Sequence, residues 1–131
     1  MIETSRSSMS CIFCSMTEDR LIAENALAYA IYDKYPVTDG HLLVIPKRHA
    51  DDYFGLTTDE VLACDALVRE LRTDIQNNDP NVEGFNIGMN AGKAAGQTVF
   101  HCHIHVIPRR IGDVDDPRGG VRHVVPAKGK Y

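Results

Sequence analysis

Histidine recurs at every second position in His101-Cys102-His103-Ile104-His105-Val106-Ile107, with cysteine or apolar residues between. Successive side chains of a strand point to opposite faces. The alternation therefore predicts a β-strand over residues 101–107, with three imidazoles on one face and Cys102, Ile104 and Val106 turned to the core. Imidazole changes charge near neutral pH and serves as nucleophile, proton carrier or metal ligand. Three on one face point to a reaction centre or a metal centre; the plain alternative is a polar face turned to water. The pattern alone does not choose between metal and nucleophile, because alternate strand histidines can reach one ion.

The rest of the chain supplies a sheet and one helix. Residues 20–24 and 27–32 read as a strand hairpin across Asn25-Ala26, and residues 33–39 as a loop broken by Pro36 and Asp39-Gly40. Residues 41–45 form a nearly continuous apolar run, a buried strand closed by Pro46. Thr57 and Glu60 have the spacing of a capping box, and Val61, Cys64, Val68, Leu71 and Ile75 then recur at helical spacing up to Asn77-Asn78-Asp79-Pro80. Residues 85–89 complete the strands, with Gly92 and Gly96 framing the loop that follows. Strands, one long helix and further strands without βαβ alternation indicate an α+β fold with an antiparallel sheet.

At 131 residues the chain suits one domain with a real core. No stretch approaches a membrane span, and residues 1–10 are polar without a signal-peptide core. They read as a loose tail, and the expected location is cytoplasmic, where four cysteines need no disulfides. From Arg109 onward six Lys/Arg oppose three Asp, a net +3, which leaves −7 of the total −4 on the body. An acidic body argues against a nucleic-acid partner. Asp115-Asp116-Pro117-Arg118-Gly119-Gly120 marks a turn, and residues 121–125 read as an added short strand.

Three blocks carry a resemblance. They are Cys11-Ile12-Phe13-Cys14; Asp39-Gly40-His41-Leu42-Leu43-Val44-Ile45-Pro46-Lys47-Arg48-His49; and Asn90-Ala91-Gly92 with Gly96-Gln97-Thr98-Val99-Phe100 leading into the histidines. In this order the chain resembles the histidine-triad (HIT) family of nucleotide hydrolases and transferases, in its zinc-binding bacterial-type branch. The resemblance covers residues 11–110, leaves residues 1–10 as a tail, and runs out at a C-terminal extension over residues 111–131. It implies a five-stranded antiparallel sheet with one long helix and a short N-terminal helix, paired as a homodimer.

The resemblance also implies roles. His103 matches the nucleophile that attacks the α-phosphate of a nucleotide and forms a nucleotidyl-histidine. His105, Gln97 and Asn90 stand where relatives contact phosphate. Thr98 stands where a hydroxyl lies near the leaving group, and His41 supports the catalytic site. Asp33 matches a ribose-holding carboxylate, and Ile12 and Phe13 the apolar base pocket. Cys11 and Cys14 supply half of a tetrahedral zinc site, with His49 and His101 as the remaining ligands of a structural zinc. Each has a plainer reading beside it: Gln97 and Thr98 as loop residues bonding nearby backbone, Asn90 as a turn former, Asp33 as a loop start, and Ile12-Phe13 as core. Cys64 and Cys102 read as buried core thiols.

The chemistry implied is hydrolysis of a dinucleoside polyphosphate or nucleoside phosphoramidate. Transfer of the nucleotidyl group to phosphate, a nucleotide-binding regulatory protein with negligible turnover, and a catalytic metal at the triad are the rival readings.

Overall fold

The computed structural model describes residues 10–131, so the expectation of a loose tail over residues 1–10 falls, Ser10 apart, outside the described residues. After a single 3-10 turn at Glu18–Arg20, strand β1 (Ala23–Glu24) turns into β2 (Ala28–Tyr32). The turn is tied by Asn25, whose Oδ1 accepts from the amides of Leu27 (3.1 Å) and Ala28 (2.9 Å). Then come β3 (Leu42–Pro46), helix α1 (Thr58–Asn78), β4 (Val82–Gly88) and β5 (Ile104–Arg110). The strands form one antiparallel sheet in the order β1-β2-β3-β5-β4. The α+β architecture with a five-stranded antiparallel sheet and one long helix is the expected one.

Helix α1 starts where the capping box predicts. Glu60 N donates to Thr57 Oγ1 (3.2 Å), and Thr57 N donates to Glu60 Oε1 (2.8 Å). A cap of this kind contributes about 1 kcal/mol. The same carboxylate receives Arg48 in a two-pronged ion pair, Nε to Oε2 and Nη2 to Oε1, both 2.8 Å. Arg48 also donates to Gly55 O (2.7 Å). The chain leaving β3, which carries His49, is thereby fixed to the start of α1.

Both faces of the sheet are covered, which is why β2 and β3 read as continuous apolar runs. Ala28, Ala30, Leu42, Val44, Ile104 and Val106 pack against Cys64, Leu67 and Leu71 of α1. On the opposite face Tyr29, Ile31, Leu43 and Ile45 pack with Phe13 from the N-terminal segment. Tyr29 Oη donates to Phe13 O, anchoring that segment. His105, paired with Leu43 and Gly88, belongs to this second face.

Three expectations shift. The strand of the triad begins at Ile104, after His103, because Cys102 N donates to Ala50 O (2.8 Å) instead of joining the ladder. It runs on through Pro108 to Arg110, since beyond Val106 it pairs with β4 alone and no amide is owed to β3. The expected strand at residues 121–125 is a 3-10 helix, Gly120–Val124. Gly119 and Gly120 enter it with φ of 94° and 47°, and its amides bond locally, as in Arg122 N to Gly119 O at 2.9 Å. The extension is tied back by Arg109, which grips Asp113 with two 2.8 Å bonds and Asn86 with one of 2.7 Å. Among the described residues no helix is long and apolar enough to cross a membrane.

Candidate active site and metal centre

Two clusters of ligand-type side chains flank His103. In the first, Cys11 and Cys14 rise from the N-terminal segment, His49 from the chain after β3, and His101 from just before β5. His101 is fully buried. Its Nε2 lies 2.8 Å from Pro46 O; a carbonyl only accepts, so Nε2 carries the proton and Nδ1 keeps a lone pair. That lone pair faces both thiols, Cys11 Sγ at 3.3 Å and Cys14 Sγ at 3.4 Å. Cys14 Sγ also meets His49 Nδ1 at 3.2 Å, while His49 Nε2 turns to Asp51 Oδ1 at 3.4 Å. Two thiols cannot both donate into one lone pair. A cation among the four atoms satisfies all of them, and the thiol and imidazole donor set is that of zinc. The outward bonds to Pro46 O and Asp51 are of the type that orients metal-bound imidazoles.

The second cluster joins β3, β5 and the loop after β2. Val37 N donates to His41 Nδ1 (3.1 Å), so the proton of neutral His41 sits on Nε2. That Nε2 lies 2.9 Å from His105 Nδ1 and 3.3 Å from Asp33 Oδ2. His105 Nδ1 accepts, which leaves the His105 proton on Nε2, facing away from His41 as a hydrogen-bond donor. Asp33 is held by Tyr35 N donating to its Oδ1 (2.8 Å). Burial lowers the pKa of His41, outweighing the attraction of Asp33. It lowers that of His105 too, aided by the neighbouring His103 and His41 and opposed by Asp33. Both rings are therefore neutral at neutral pH. Asp33, His41 and His105 are close enough to share a cation by distance alone. The Val37 amide opposes it: a cation on His41 Nε2 would displace the proton that the Val37 bond places there.

His103 lies between the clusters. Its Nδ1 is 2.8 Å from His101 O, which places the proton on Nδ1 and leaves Nε2 as a free lone pair. One residue thus serves both regions, with the His101 ring turned to the thiols and its carbonyl to His103. Phe13 packs edge-on against the His101 and His103 rings at 5.9 and 5.2 Å.

The other expected residues are distributed unevenly. Phe13 is buried in the core, whereas Ile12 is 60% exposed and lines a cleft of about 430 Å³ with Cys11, His49, Thr98 and Phe100. Thr98 is exposed on that cleft. Asn90 lines a separate cavity of about 590 Å³ that reaches His105 and the 3-10 turn of the extension. The Gln97 side chain is buried and bonded to backbone: Oε1 accepts from Gly92 N (2.8 Å), and Nε2 donates to Asp51 O (2.5 Å) and Val99 O (3.1 Å). Both its donors are spent within the protein, as the loop reading has it. The partners that sequence reasoning missed are Asp51, two residues after His49, and three backbone groups: Val37 N, Pro46 O and His101 O. Backbone groups leave no mark in a residue pattern.

The chain has relatives among known proteins. Residues 15–112 match the HIT domain. A zinc-bound histidine triad family protein from Mycobacterium smegmatis has a similar crystal structure, with a TM-score of 0.74 and 40% identity over 81% of this chain and 79% of that one. An adenosine 5'-monophosphoramidase from Candida albicans is 35% identical over 77% of this chain and 71% of its own length. An AP-4-A phosphorylase from Mycobacterium tuberculosis is 35% identical over 75% of this chain, but only 50% of its own length. With the triad, the sheet and these matches in agreement, the chain belongs to the HIT family.

Proposed function

We propose that this protein is a nucleotide phosphohydrolase that cleaves at the α-phosphate through a covalent bond to His103. The observation that carries the reading is the His103 ring itself: Nδ1 is bonded to His101 O, so Nε2 presents a lone pair. That nitrogen attacks α-phosphorus, the P–N bond forms, and the leaving group departs with the bonding pair. Water then attacks phosphorus, returns the pair to Nε2 and releases the nucleoside monophosphate. Charge gathers on the non-bridging oxygens in both steps, where a fixed donor is worth most. His105 Nε2–H is that donor, because the Val37 amide and His41 fix its tautomer. Asn90 adds a contact to phosphate and Thr98 a hydroxyl toward the leaving group. Asp33 retains lone pairs for the ribose hydroxyls, and Ile12 and Phe13 supply the apolar side of the base site.

Cys11, Cys14, His49 and His101 hold a structural zinc in this reading, supported by their converging donors and by the zinc-bound relative. Bound there, zinc ties the N-terminal segment to the approach of the triad and leaves His103 and His105 for phosphate. The protein pairs as a homodimer in the cytoplasm. Edge strand β4 supports the pairing, with Ile87 exposed beside an apolar groove lined by Leu56, Val61, Val68 and Phe85. Sedimentation at micromolar concentration gives a dimer if this holds, and a monomer otherwise.

Substrate choice rests on two similarities. The phosphoramidase relative supports a nucleoside phosphoramidate with water as acceptor. The AP-4-A phosphorylase relative supports transfer to phosphate as the second reading. Incubation with adenylated and guanylated phosphoramidates and dinucleoside polyphosphates, with and without phosphate, separates them by product mass. Hydrolysis gives the nucleoside monophosphate together with the leaving amine or nucleoside polyphosphate, whether or not phosphate is present. A nucleoside diphosphate formed only when phosphate is present assigns the phosphorylase, and no product from any substrate defeats the enzymatic reading.

A further inference from the structure

Four polar or charged side chains are buried among the described residues: His41, Glu60, Gln97 and His101. His41 fixes the His105 tautomer, Glu60 caps α1 and grips Arg48, and His101 belongs to the thiol cluster. Gln97 is left. A buried amide costs stability unless its partners repay it, so those partners state its task.

They are three backbone groups, one in the chain after β3 and two in the β4–β5 loop that carries Gln97 itself. Gly92 N donates to Oε1, while Asp51 O and Val99 O each accept a hydrogen bond from Nε2. The amide orientation is dictated, because one partner can only donate and two can only accept. Gln97 N also donates to Gly92 O (3.2 Å), closing a reciprocal pair across the loop in which Gly92 and Gly96 adopt φ of 96° and 92°. Asp51 lies two residues after His49 and meets its ring, and Val99 lies two residues before His101.

We propose that Gln97 is a positioning residue that braces the His49 segment against the approach to His101, holding two metal-ligand segments in register. Its side chain then acts on the zinc cluster and on the loop before the triad, rather than on phosphate. The inference rests on the zinc reading above.

Zinc titration of the full-length wild type comes first, and uptake of no metal defeats the zinc reading together with this one. With zinc bound, Gln97→Glu and Gln97→Met are compared with wild type for two quantities: release of zinc to a chromophoric chelator, and affinity for adenosine 5'-monophosphate. Glutamate keeps an acceptor for Gly92 N but turns an oxygen toward two carbonyls; methionine removes every bond at similar volume. The brace predicts release at least about tenfold faster in both variants, the scale of losing a group that orients metal ligands. Release unchanged from wild type, whether or not nucleotide affinity falls, overturns it. A wild-type measurement covers variants that do not fold. Stripping zinc frees the brace in turn, so hydrogen exchange at the Gly92 amide should accelerate about tenfold or more while amides inside α1 stay protected. Equal exchange at Gly92 in loaded and stripped protein overturns the proposal.

Discussion

The Cys11–Cys14–His49–His101 cluster and the Asp33–His41–His105 cluster are built from similar side chains and lie on either side of one histidine. Their hydrogen bonds give them opposite chemistry. In the first, the outer nitrogens of both imidazoles face acceptors, Pro46 O and Asp51 Oδ1, so the inner nitrogens turn lone pairs toward the thiols. In the second, the outer nitrogen of His41 faces a donor, Val37 N, so its inner nitrogen carries a proton toward His105. A lone pair turned inward suits a cation, and a proton turned inward suits a hydrogen-bond relay. The group behind each ring decides, and the ring's identity does not.

The largest effect that can break this division is at His103. His103→Asn should keep zinc and nucleotide binding but lose turnover by about four orders of magnitude, because asparagine cannot form the covalent intermediate. Acid quenching with a non-hydrolysing label excludes nothing here, since a P–N bond is acid-labile; the quench must be basic. An α-labelled substrate should then leave label on wild type and none on the variant. Turnover near the wild-type rate would return the triad to a metal or binding role. His105→Ala should cost less, about a hundred- to a thousand-fold in kcat, the usual loss when one donor to a developing oxyanion is removed. A drop confined to KM would mean that His105 binds ground state and transition state alike.

The next effect falls on the other cluster. Cys14→Ser removes the sulfur that meets both His49 and His101. It should abolish stoichiometric zinc and lower the Tm by about 10 °C, with the remaining folded fraction still able to take label on His103. Retained zinc in metal analysis, or an unchanged melting curve, would say that the four residues are not a metal centre. Labelling lost entirely in folded protein would say that the two regions are not separable.

How far this was legible in the sequence follows from the same contrast. Alternation announced the strand, Thr57 and Glu60 announced the helix start, and Cys-x-x-Cys together with His49 and His101 named a cluster that the fold does assemble. Residues 121–125 did not announce their 3-10 turn, because three valines in five residues read as a strand until Gly119 and Gly120 are seen at positive φ. Nor did Gln97 announce its partners, which are all backbone. What a side-chain pattern conveys is which groups are available; which nitrogen carries the proton is set by Val37 N, Pro46 O and His101 O, and those depend on the fold.

The smallest effect tests protonation in the second region directly. His41 and His105 both have pKa values lowered by burial from the ordinary 6.5. Below that value the unfolded chain takes up protons that the folded protein resists. The stability that depends on neutral rings is therefore complete above about pH 6.5 and drains away as pH falls toward the lowered folded values. Thermal unfolding of wild type should show a flat Tm from pH 8 to 7 and a decline below, by about a few degrees per unit. Zinc release and the protonation of ion-paired carboxylates such as Asp79 and Asp113 add to the acid limb. The difference between wild type and His41→Gln isolates the imidazole: glutamine can still accept from Val37 N but takes up no proton near neutrality. The variant should be less stable at pH 8 and should lose stability less steeply between pH 6.5 and 5, so the two curves converge on acidification. Parallel curves would show that His41 binds its proton as readily folded as unfolded, and the neutral relay from Val37 through His41 to His105 would fail with them.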